Sequence, residues 1–141
     1  MPYATLDDLI ERASEAEIRQ IADRDRDGAI DPDVIEAALI AADNLVNGYV
    51  ATKYAMPLPS VPDLVRTWAT IIARYELHHN GAPDHVVRDY DRALAALKDV
   101  AAGRATLPVA PGEDAPGQVS GTVMAAHPPK VFTAARLRGW R

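Results

Sequence analysis

The chain has 141 residues, a formal net charge of −5 and no cysteine, which excludes disulfides, a thiolate nucleophile and a Cys-based zinc site. No apolar run reaches the ~18–20 residues that a membrane-spanning helix needs. The polar, acidic stretch after Met1 does not read as a signal peptide.

Hydrophobic residues make up 48% of the chain, with one Phe, two Trp and five Tyr. A core is therefore expected from Leu, Ile, Val and closely packed Ala, in a single domain of ordinary size. The charge is segregated. Residues 1–103 carry 18 acidic and 10 basic side chains, and residues 104–141 carry 2 and 5. An acidic body argues against a large nucleic-acid face, whereas a basic arm suits docking on an acidic neighbour.

Thr5 starts the first predicted helix, with Asp8 completing a capping box and Leu6, Leu9, Ile10 and Ala13 at helical spacing. Ser14 and Glu17 repeat the capping signature before a short second helix over about 15–22, which buries Ile18, Ile21 and Ala22.

Residues 23–31, DRDRDGAID, are too charged for a core. Asp23, Asp25, Asp27, Gly28 and Asp31 match loop positions 1, 3, 5, 6 and 9 of an EF-hand, with Ile30 as the inward apolar residue at position 8. Alternate oxygen donors wrap a hard cation, glycine permits the turn, and the Ala29 carbonyl would be the position-7 ligand. The match fails at position 12, where Val34 replaces the bidentate Glu. Two readings stand: a weak Ca²⁺ loop on Asp23, Asp25, Asp27, Ala29 and Asp31, or an acidic turn whose carboxylates accept backbone N–H groups and cap the next helix. Neither reading requires a cofactor.

Asp31 and Pro32 open a third helix predicted over 32–54, with Val34, Ile35, Ala38, Ala41, Ala42, Leu45, Val46 and Tyr49 on its apolar side. MPLPSVP, residues 56–62, breaks it. The fourth helix, 62–79, places Leu64, Val65, Trp68, Ile71, Ile72, Tyr75 and His79 at three- and four-residue steps. NGAP, residues 80–83, stops it. The fifth helix, 83–102, aligns Val86, Val87, Tyr90, Leu94, Leu97 and Ala101, and Gly103 ends it. Arg66, Arg74, Arg88 and Arg92 read as a solvated or subunit-contact set. His78 and His79 are adjacent and point apart, so they read as partly exposed helix-end residues and not as a ligand pair.

After Gly103 the last 38 residues hold five Pro and four Gly. Val131, Phe132, Leu137 and Trp140 give this arm bulky apolar groups that gain most when a partner buries them. An ordinary flexible tail is the alternative. The fold class is thus mainly α: a five-helix body over 1–103 with an EF-hand-like acidic loop, and an extended arm over 104–141 that takes a short strand or helix on assembly. Neither a nucleophile elbow nor a phosphate-binding GxxxxGK[ST] loop is present, so the chain is not expected to be an enzyme.

YATLDDLIER (3–12), DRDRDGAID (23–31), GYVATKYAMPLPSVPDLVR (48–66), IARYELH (72–78) and VFTAARLRGW (131–140) resemble a Mu-like prophage and phage neck protein family. The GY…YAMPL–VP segment and the order of the blocks are the specific part; Ala134 departs from the basic residue often found there. The resemblance implies a head–tail connector, or adaptor, encoded among morphogenesis genes and assembled in the bacterial host cytoplasm. It further implies a homo-oligomeric ring at the virion neck, of twelve copies, below the portal protein and above a head–tail stopper or other neck protein. DNA would pass through the channel without specific binding, and no membrane is involved. The expectation outside this class is a calcium-responsive helical binding module.

Overall fold

Thr5 opens the first helix as expected. Its side chain accepts from the Asp8 N–H while the Asp8 carboxylate accepts from the Thr5 N–H (2.8 Å). The computed structural model describes residues 2–108, and within them the chain forms five helices and no strand. These are α1 (Leu6–Ala13), α2 (Glu15–Ala22), α3 (Pro32–Val50), α4 (Asp63–Leu77) and α5 (Asp84–Ala101). The mainly α, five-helix body is therefore as the sequence implied.

Ser14 joins the first two helices within a single residue. Its N–H closes α1 on the Ile10 carbonyl (2.8 Å) and its side chain caps α2 by accepting from the Glu17 N–H (3.3 Å). The joint needs φ = 83° at a non-glycine residue, a conformation sparsely allowed for L side chains. Glu17 does not complete a capping box. Its carboxylate binds Arg74 on α4 instead.

α4 is the central element, in contact with α1, α3 and α5. Neighbours on several sides explain why its buried residues exceed one stripe: Val65, Ala69, Thr70, Ile71, Ile72, Ala73, Arg74 and Leu77. Ala69 and Ala73 let neighbouring helices approach closely. Leu64, expected in the stripe, is 45% exposed, and His79 lies beyond the helix in solvent. α3 contributes Ile35, Ala38, Leu39, Ala42, Val46 and Val50 to the core, and α5 contributes Leu97 and Val100.

α3 stops at Val50, short of the expected 54. Thr52 Oγ1 donates to the Tyr49 carbonyl (2.7 Å), and the N–H groups of Thr52 and Lys53 bond three residues back, not four. That tighter turn swings Tyr54 into the core, where its hydroxyl accepts from the Leu107 N–H (2.8 Å). Leu107 is 5% exposed, so the packed body reaches past Gly103 and includes the first residues of the arm. Gly103 takes φ = 77°, the left-handed C-terminal stop that its position implied. No helix among the described residues is long and apolar enough to cross a membrane.

Candidate functional site

The acidic loop hangs between α2 and α3. The Asp31 N–H donates to the Ala22 carbonyl (3.3 Å) across its base. Ile30 of the loop and Val34 in the first turn of α3 both pack against the core. Val34, at the twelfth loop position, is thereby a packing residue. Gly28 adopts φ = 85° and Arg26 adopts φ = 61°, and the two left-handed residues curl the loop tightly.

The curl aims several backbone N–H groups at the carboxylates. Asp23 accepts from Asp27 (3.1 Å) and Gly28 (2.8 Å), Asp25 from Asp27 (3.1 Å), and Asp27 from Ala29 (2.8 Å). One oxygen from each of Asp23, Asp25 and Asp27 lies within 4.8 Å of the others. Asp31 stands apart from this trio. Its carboxylate reaches back to the Arg24 N–H (2.7 Å). It occupies the N-cap position of α3 yet makes no capping hydrogen bond there, contrary to the capping role expected of it.

This proximity splits the titration of the first two carboxyls. At Asp23 desolvation pushes the pKa up. The Gly28 N–H, the Asp25 carboxyl and the N–H groups of Asp27 and Arg26 outweigh it, and the net shift is down. At Asp25 the Asp27 N–H pulls the pKa down, but desolvation, the Asp23 carboxyl and the charges of Asp27 and Asp31 carry it up. Like charges brought together resist ionising together. A divalent cation would relieve that repulsion, since each carboxylate oxygen has a lone pair left after accepting an N–H. Three carboxylates and the Ala29 carbonyl still fall short of the six to eight oxygens that Ca²⁺ takes, so water would complete the shell.

A second polar cluster was not foreseen. Arg74, read from the sequence as part of a solvated or subunit-contact set, is 8% exposed. Its Nε and Nη2 donate to Glu17 Oε1 (2.9 and 2.7 Å), and Nη2 also reaches Oε2 (2.8 Å). His85 Nε2 lies 3.4 Å from Arg74 Nη2, and His78 Nε2 lies 3.5 Å from Glu17 Oε1. His78 Nε2 is buried with no hydrogen-bond partner. Its pKa is lowered from the ordinary 6.5 by desolvation; Glu17 opposes the shift, and the charges of Arg74 and His85 add to it. The signal for this cluster was the i,i+4 pair of Arg74 in α4 and His78 at its C-terminal cap, but their partner Glu17 is 57 residues from Arg74 in sequence.

An apolar groove lies along α3, with a volume of ≈ 560 Å³, and Ile40 at its side is 50% exposed. The arm residues Val131, Phe132, Leu137 and Trp140 lie outside the described residues.

The fold and these sites define a small domain that is all-helical among the described residues, with polar devices at its helix joints. The family described as "Bacteriophage Mu, Gp36" matches residues 3–125, and the chain belongs to that family of Mu-like phage proteins. It is 29% identical to the "Mu-like prophage FluMu protein gp36" of Haemophilus influenzae over 122 residues, 86% of each chain. It is 28% identical to "Gene product J" of Escherichia phage Mu over 105 residues, 74% of each chain.

Proposed function

We propose that the chain is a structural head–tail connector subunit: a ring-forming adaptor at the neck of a tailed phage or phage-like particle, between the portal and the lower neck proteins. Family membership supports a phage role. The observation that carries the finer reading is the division of charge. The region 1–103 has 18 acidic and 10 basic residues, and 104–141 has 2 and 5. A self-assembling subunit repeats one heterologous contact around a ring. An acidic body with a basic, apolar-tipped arm offers complementary halves of such a contact. An acidic channel wall would also let DNA pass without sticking, because phosphate binding needs positive charge.

On this reading the chain does no chemistry and needs no cofactor. The test is electron microscopy of the chain co-expressed with its portal and neighbouring neck proteins. The expected result is a closed ring, of twelve copies if it follows the portal, seated below it. A chain that stays monomeric and enters no neck complex would overturn the reading.

The convergence of Asp23, Asp25 and Asp27 favours a second reading, a calcium-responsive helical module. It requires heat on titration with millimolar Ca²⁺ that the double variant Asp23→Asn, Asp25→Asn loses. It also requires a change in tryptophan or tyrosine fluorescence on binding. A thermally silent titration removes this reading and leaves the loop as a self-capped turn.

A further inference from the structure

The groove along α3 is walled by Leu6 of α1, Ile30 of the acidic loop, and Leu39 and Ile40 of α3; its charged rim residues are Glu36 and Asp43. Both rim charges are negative, and no lysine or arginine lines it. Ile40 leaves half of its surface in water as the fold stands. Covering the rest of so large an apolar side chain is favourable.

The chain itself carries a segment of matching chemistry. Residues 130–141, KVFTAARLRGWR, hold Lys130, Arg136, Arg138 and Arg141 with no acidic residue, interleaved with Val131, Phe132, Leu137 and Trp140. This apolar groove is acidic at its rim, and every charged residue in the apolar stretch of the arm is basic. The arm also has the length to arrive. The described residues end at Pro108, and 21 residues separate it from Lys130, a reach of up to ~70 Å when extended. α3, at 19 residues, is only ~28 Å long.

We infer that the α1–α3 groove is the seat of residues 130–141 of the arm, with apolar side chains filling it between Leu6, Ile30, Leu39 and Ile40 and arginines paired to Glu36 and Asp43. The seat does not depend on the connector reading. Within one chain the contact folds the arm back, and between copies it links them.

The test uses the full chain with a photo-crosslinking phenylalanine analogue in place of Trp140, irradiated and mapped by mass spectrometry. Crosslinks are expected on α3 between residues 32 and 47 and on Leu6. Ile40→Arg, at a half-exposed position that the fold tolerates, should cut their yield about tenfold, as losing ~1.4 kcal/mol of binding does. Leu64→Arg, an equally exposed position on α4, should leave the yield unchanged. Mixing isotopically light and heavy chains tells a contact within a chain from one between copies. Crosslinks scattered over the body, centred near Leu64, absent, or indifferent to Ile40→Arg would overturn the assignment. A ring that assembles normally without crosslinks in the groove would sink this seat alone and leave the connector reading standing.

Discussion

Arg74 is held by a single counter-ion, and that makes Glu17 the residue on which the α2–α4 contact depends. The Arg74 side chain is 9% exposed and that of Glu17 is 28% exposed. Removing one partner of a buried pair strands the other charge at a cost of ~3–5 kcal/mol. Because Glu17 still touches water, Glu17→Ala is expected to cost about 2 kcal/mol, read from urea denaturation. Glu15→Ala, which breaks the exposed Arg19–Glu15 pair on the same helix, should cost about 0.5 kcal/mol or less. His78 adds a pH dependence to this cluster. It faces Glu17 of α2, Arg74 of α4 and His85 of α5. Its folded pKa lies below the unfolded 6.5, so between the two values the unfolded chain binds more protons. The His78 contribution is therefore complete above pH 6.5 and is lost as pH falls toward the folded pKa. His78→Gln should flatten the rise of the urea midpoint between about pH 5 and 7. An identical slope in the variant would show that His78 does not titrate on unfolding.

At the scale of elements, α3 carries an avoidable weakness. Gly48 lies within the helix, and a Cβ built on it meets nothing within 4 Å. Gly48→Ala should stabilise the protein by about 0.5–1 kcal/mol, since glycine loses more backbone freedom on folding and no neighbour resists the methyl. Thermal unfolding followed by circular dichroism checks this. The helices themselves were legible because local chemistry marks them: Thr5 with Asp8, Pro32, the MPLPSVP break, NGAP and Gly103. What each helix buries was less so. α4 reads as a one-sided stripe through Leu64 and Tyr75, but it is packed by helices on several sides. Leu64 faces water, Arg74 faces inward, and Tyr75 stacks on Tyr90 of α5 at 3.9 Å between ring centres. Periodicity reports one face of one helix and cannot say how many neighbours it will have. The acidic loop shows the same division. The spacing of Asp23, Asp25 and Asp27 foretold their convergence. Asp31 departed: its carboxylate accepts the Arg24 N–H, seven residues back, and leaves the free end of α3 without a side-chain cap.

For the whole molecule, the arm and the body meet at Leu107, four residues past the glycine that marks the boundary in the sequence. A chain cut after Pro108 keeps every described core residue and is the reference for a shorter truncation. A chain cut after Gly103 loses the buried Leu107 and leaves the Tyr54 hydroxyl without its donor. That should cost about 2 kcal/mol and roughly 10 °C in melting temperature, measured by calorimetry. Equal melting of the two truncations would mean that Leu107 is passively covered and contributes nothing. The bond between Tyr54 and Leu107 has a further effect, on concentration and not on stability. It pins one point of the arm to the body, and even a fully extended chain would carry residues 130–141 no further than ~70 Å from it. One copy in such a volume is at about 1 mM. A groove with a dissociation constant of only about 100 μM would then be roughly nine-tenths filled, yet any higher local supply of a competing surface would empty it. Such a short connection would make even a weak seat both occupied and exchangeable.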